Sequence, residues 1–149
     1  MGNINCTRVL LGGLLAGLVL NIGEFILNGI ILAEQWSALF AEFGIGQLHA
    51  GQLASSVILT FLFGIALIWM YATIRPRFGP GPKTAVIAGL TLWSTAWLLM
   101  SAMLFTVEMF SMELAVITII WGLFEVPIAA VAGAWLYRED EGAGQDAPA

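Results

Sequence analysis

The chain is 149 residues long, 60% hydrophobic and only 10% charged, with a mean hydropathy of +0.93 and a net charge of −5. Soluble domains carry about 25% charged residues, so this composition excludes a soluble surface and points to one small membrane domain. Five basic residues without a basic stripe exclude nucleic acid as a partner. A single cysteine and a single histidine exclude an intrachain disulfide and a Cys/His-rich metal site; no cofactor is implied.

At the N-terminus, Met1-Gly2 starts a myristoylation pattern that fails at Cys6, where Ser or Thr is required. Cys6 reads as an inert membrane-proximal thiol, with palmitoylation as the alternative. Arg8 before an apolar run imitates a signal peptide, but the run from about 9 to 33 is long enough to cross a bilayer as a helix. At about 100° per residue, Gly13, Gly17, Asn21, Glu24 and Asn28 share an arc of roughly 80° on that helix. Gly13-x-x-x-Gly17 permits close approach of another helix, and Asn21 and Asn28 stand beside Glu24 at i−3 and i+4.

The segment that follows places Trp36, Leu39, Phe40 and Phe43 at helical spacing, with Glu34, Gln35 and Glu42 elsewhere. This predicts a short helix lying on the membrane surface, with a lid over a cavity as the alternative. His49 reads as a solvated loop histidine. The second span, about 52–73, carries Ser56, Thr60 and Gly64 on one face and ends in Trp69 and Tyr71, as an aromatic belt would. The connection Arg75-Pro-Arg-Phe-Gly-Pro-Gly-Pro-Lys83 predicts a stiff, non-helical turn. Its Arg75, Arg77 and Lys83 are topogenic charges, or else contacts to anionic lipid headgroups.

The third span, about 84–105, has Thr91, Ser94 and Ser101 on one face; Trp93, Trp97 and the methionines from Met100 to Met112 read as packing or lipid-facing residues. The fourth, about 113–137, places Thr118, Gly122, Glu125, Ala129, Ala132 and Gly133 within an arc of about 100°. Pro127 lies on its other side and predicts a kink, because it cannot donate its backbone nitrogen. The acidic tail, 139–149, is expected to be disordered.

The expected fold is therefore all-α, a four-transmembrane-helix bundle over residues 1–138. Arg8, Arg75, Arg77, Lys83 and Arg138 all fall on one side of that topology. The positive-inside rule then makes both termini cytoplasmic. Ala16-Gly17-Leu18 recurs as Ala88-Gly89-Leu90, and Trp69-Met70-Tyr71 is matched by Trp135-Leu136-Tyr137. Both echoes preserve orientation, as two parallel helical hairpins would.

Ionisable groups at membrane depth need a partner, a proton or water. No Lys or Arg lies in any span to serve Glu24 or Glu125. Neutralising a glutamate at pH 7 costs about 3.7 kcal/mol from its reference pKa, and leaving it charged at mid-helix costs about 2.5–3.5 kcal/mol. These figures are too close to decide between the two states, so the local partner decides. Asn21, Glu24, Asn28 and Glu125 form the candidate polar site, and Gly13, Gly17, Gly122 and Gly133 the candidate helix-packing positions. Polar residues also glue membrane helices together, and Asn21 and Asn28 read first as glue.

The layout resembles small, uncharacterised four-helix bacterial membrane proteins, above all in Asn21-x-x-Glu24-x-x-x-Asn28 and in Gly133-Ala-Trp-Leu-Tyr137-Arg138. The resemblance implies a helical bundle in a bacterial inner membrane and carries over no activity. Two functions follow as expectations. The first is a structural or accessory membrane protein, working as a homo-oligomer or as a subunit of a membrane complex. The second is a proton- or cation-coupled transporter or channel subunit built on the carboxyls. The lipid bilayer is the expected surrounding in both. An enzyme ranks below them, because no nucleophile–base arrangement, metal cluster or phosphate cradle is present in the sequence.

Overall fold

The computed structural model describes residues 4–46 and 48–138; the acidic tail lies outside them. Among the described residues the regular elements are all helical. They are α1 (Cys6–Ile26) with a π-turn (Leu27–Ile31), α2 (Ala33–Glu42), α3 (Ala50–Phe78), α4 (Pro82–Trp93) with a π-turn (Ser94–Leu98), α5 (Leu99–Thr106) and α6 (Met112–Leu136). The π-turns do not interrupt their rods. Four continuous helices, Cys6–Ile31, Ala50–Phe78, Pro82–Thr106 and Met112–Leu136, are long and apolar enough to cross a membrane.

Local chemistry explains where the helices begin. The Asn5 side chain accepts the Arg8 N–H at 3.0 Å and the Ser111 hydroxyl accepts the Leu114 N–H at 3.2 Å, each an N-cap. Pro82 opens α4, where its missing N–H costs nothing. The connection between α3 and α4 is shorter than its sequence predicts. Arg75, Pro76 and Arg77 are helical, and only Gly79-Pro80-Gly81 turns the chain. Pro76 is tolerated because it sits in the last turn, close to the helix end. The stop is Gly79, which adopts φ 84° and donates its N–H to the Arg75 carbonyl at 2.8 Å. Gly81, at φ 120°, donates to the Tyr71 hydroxyl at 3.1 Å. Arg75 lies 5.6 Å from the centre of the Tyr137 ring rather than in a loop, whereas Arg77 and Lys83 are exposed.

The four long helices form a ring in which α1 packs on α3 and α6, and α4 packs on α6 and α3. Neighbours in the ring are antiparallel, and glycine sets their spacing. Gly13 meets Ile65 and Gly17 meets Phe61, while Gly64 fits between the backbones of Gly13 and Gly17. On the other side of α1, Gly12 and Gly133 face each other, each occupying the space a Cβ on the other would need. Gly89 of α4 lies against Pro127 and Ala130 of α6. The core runs along these seams through Leu20, Leu67, Ile68, Val126 and a series of fully buried alanines. One end of the bundle holds Ile4, the α3–α4 turn and Tyr137; Tyr71 and Tyr137 stack edge-to-face there at 5.7 Å.

The sequence echo has a structural counterpart. Its offsets are 72 residues for the first helix of each hairpin and 66 for the second. Applied to the contact of Gly17 with Phe61 and Gly64, they give Gly89 with Pro127 and Ala130, which is the contact observed. They also pair Asn21 with Trp93, and each of these donates to a carbonyl of its partner helix: Asn21 to Val57 at 3.4 Å, Trp93 to Ile119 at 3.0 Å.

Candidate functional site

Glu24 and Glu125 come together at the α1–α6 seam. Gly23 makes this possible, since the Glu125 carboxyl fills the space that a side chain on Gly23 would take. The two carboxyls are close enough for their charges to interact.

Glu24 is hydrogen-bonded by one side chain and approached by a second, both carried on π-turns. Asn28, in the first π-turn, donates its amide to the Glu24 carboxylate and also to the Glu24 carbonyl at 3.1 Å. Its carbonyl oxygen is in turn fixed by the indole N–H of Trp36 on α2, at 2.8 Å. Trp97, in the second π-turn, brings its indole nitrogen up to the same carboxylate. The i→i+5 bonds of Leu32 to Leu27 and of Leu99 to Ser94 mark the extra residue in each turn. Such an insertion rotates the local side chains relative to a regular helix and recurs at functional sites.

Trp97 is the wedge of the bundle rather than a lipid-facing residue. It stacks edge-to-face on Phe63 of α3 at 4.8 Å and packs against Gly122 of α6, where a Cβ would come within 2.5 Å of its ring. Asn21 is also placed differently from its sequence grouping. It donates to the Gly17 carbonyl at 2.8 Å and faces α3, so it bonds backbone and not Glu24.

Glu125 has the opposite environment. It is only 7% exposed, and neither carboxyl oxygen has a hydrogen-bond partner among the described residues. The Trp121 indole turns toward it without closing a hydrogen bond of good geometry. The Thr118 hydroxyl is likewise unpaired, so four polar atoms along one stretch of α6 are buried without partners. Each such atom in an apolar medium carries a desolvation cost of roughly 1–3 kcal/mol. A cluster of them marks a place where water, a proton or a ligand completes the chemistry.

The surroundings of the pair are asymmetric along the bundle axis. Toward Tyr137 the seam is shut by Ala16, Leu20, Ala129 and Ala130, all fully buried. In the other direction Glu24, Asn28 and Trp36 form a polar track to α2. Trp36 stacks edge-to-face on Phe110 at 5.8 Å, beside a cleft of about 720 Å³ bordered by Gln35, Glu42 and Glu108. Laterally, a groove of about 490 Å³ opens on the outer surface between α1 and α6. Val19, Ile22, Ile120, Phe124 and Ile128 make its walls apolar, and Trp121 and Glu125 contribute the polar part.

Trp36, Trp97 and Trp121 were not legible as site residues from spacing alone. One signal was available: Trp97 and Trp121 sit mid-span, away from the ends where an aromatic belt belongs, and an indole N–H at that depth needs an acceptor. Gly13, Gly17, Gly122 and Gly133 all lie at helix contacts inside the chain. No family model, curated protein or solved structure matches the chain.

Proposed function

We propose that this is a multi-pass protein of a bacterial inner membrane, with both termini cytoplasmic, in which Glu24 and Glu125 form a proton- or cation-binding site of a transporter or channel subunit. The orientation is supported by the five basic residues, which all fall on the side of the termini and the α3–α4 turn. The functional reading is carried by one observation: Glu125 is buried beside a second carboxyl with neither oxygen paired among the described residues, in a chain whose Lys and Arg all lie in the end turns of the long helices or beyond them.

A purely structural carboxyl would be tied down, as Glu24 is by Asn28; Glu125 is free to exchange a proton or take up a cation. Glu24 communicates with the outer end through Asn28 and Trp36, while the inner half of the seam is sealed, an arrangement with access from one side at a time. Completing passage requires the Gly12–Gly133 contact to part. A partner copy or subunit would frame the path, since four helices leave little room of their own. The alternative of a structural or accessory subunit draws on small-residue faces and on the lack of a reactive constellation; the glycines of those faces are covered within the chain.

The test is flux in proteoliposomes loaded with a pH-sensitive dye, across protons, sodium and potassium. The wild-type protein carries a flux that Glu125→Gln abolishes and Glu24→Gln reduces at least tenfold. A wild-type protein silent across the panel overturns the reading.

A further inference from the structure

We propose that the groove over Glu125 binds a lipophilic organic cation that enters sideways from the bilayer. The inference rests on the carboxyl-site reading above and adds the class of ligand. Three features of the groove lead to it. First, its walls are hydrocarbon: Ile22 and Phe124 are 54% and 64% exposed, so the groove faces the surroundings of the bundle rather than its core. In a membrane, those surroundings are acyl chains, and an inorganic ion would have to shed its water there. Second, its volume of about 490 Å³ falls within the roughly 300–1,000 Å³ typical of sites for drug-sized molecules. Third, the polar groups bordering it favour a cation: a carboxyl and an indole whose polar atoms are buried just behind its wall, with no basic side chain in either helix beyond Arg8.

A delocalised cation with apolar arms satisfies all three. Its arms replace lipid against the isoleucines, its charge meets the carboxylate, and the Trp121 ring offers a π-face of the kind that attracts quaternary cations. The carboxyl now lies against Gly23. Because no hydrogen bond holds either oxygen, turning it toward the groove breaks none. An acyl chain would fill the walls but leave the carboxyl unanswered, and a lipophilic anion would be repelled by it.

The test uses tetraphenylphosphonium and tetraphenylborate, ions of the same shape and opposite charge, titrated calorimetrically into the full-length protein in detergent with empty micelles as reference. The phosphonium ion binds, binds at least tenfold more weakly to Glu125→Gln, and the borate does not bind. Ile120 is 52% exposed, so Ile120→Trp fills the groove without disturbing the core and weakens phosphonium binding as well. Absent phosphonium binding, equal binding of both ions, or full binding by Glu125→Gln overturns the proposal. The flux measurement separates the two levels. If phosphonium binding fails while Glu125-dependent proton flux persists, the carboxyl site stands and only its ligand class falls; if both fail, both readings fall.

Discussion

The tightest contact between α1 and α3 gives the sharpest prediction about the fold. A Cβ placed on Gly64 would lie 2.5 Å from the Gly13 carbonyl oxygen and 2.7 Å from the Gly17 Cα. The Gly17 nitrogen is nearer still at 2.4 Å, and ordinary contact begins near 3.4 Å, so Gly64→Ala must push the two helices about 0.7–1.0 Å apart at this point, with no flexible side chain available to give way. A radial gap of about 0.5–1 Å forfeits a quarter to a half of each contact's dispersion energy, and overpacking of this kind costs about 1–3 kcal/mol. Alanine returns up to about 1 kcal/mol through helix propensity. The expected net loss is therefore about 0–2 kcal/mol against the native chain and about 1–3 kcal/mol against a Gly→Ala change on the same helix that gains the same propensity, with more for Gly64→Val. The Asn21 bond to the Val57 carbonyl, already 3.4 Å long, would be lost in the same movement. Gly51→Ala is the matched control, because no atom of the described residues lies within 4 Å of a Cβ there and it shares the same helix. Both variants can be unfolded by sodium dodecyl sulfate titration and followed by circular dichroism. Should Gly64→Ala prove as stable as Gly51→Ala, or change oligomer size while leaving stability intact, the in-chain role of these glycines is wrong.

Three further substitutions probe separate contacts. Trp36→Phe keeps the ring stack on Phe110 but removes the donor to Asn28, and should cost about 0.5–1.5 kcal/mol and raise amide exchange across residues 33–42; unchanged exchange there would show that α2 is held by other means. Glu108 adopts φ 60°, a left-handed conformation that costs a non-glycine residue roughly 1–2 kcal/mol, so Glu108→Gly should raise the thermal midpoint, and a lower midpoint would refute the strain. Tyr71→Phe removes the acceptor for the Gly81 N–H, seen at 3.1 Å, and should destabilise by about 1 kcal/mol without moving the helices; a loss above about 3 kcal/mol would mean that the Tyr71–Tyr137 stack had come apart as well.

The membrane-length helices were legible because twenty or so apolar residues leave the backbone few alternatives to a helix. Their ends were less so. The prolines and basic residues after Ile74 look like a loop, yet α3 runs through Pro76 to Phe78, because a proline near a C-terminus disturbs little that a glycine stop does not end anyway. Glu24 and Glu125 stood out as charges in apolar sequence, and helical periodicity placed them on small-residue faces. Periodicity at 100° per residue could not find Trp97. Its approach to Glu24 depends on a π-turn, which adds one residue to the helical register where the sequence shows only Ser-Thr-Ala-Trp-Leu. Nor could it separate Asn28, which bonds the carboxylate, from Asn21, which bonds backbone, since both share one face and only the neighbouring helix distinguishes them.

The repeated hairpin makes the molecule its own control for stoichiometry. The same offsets that map Gly17 onto Gly89 carry Glu24 to Ala96 and Glu125 to Leu59. The chain therefore presents two faces on one plan, of which only the α1–α6 face is charged. The offsets also carry Ile22, Ile120 and Trp121 to Ser94, Ala54 and Ser55, so a molecule held at the α1–α6 face has no second place of the same kind on the chain.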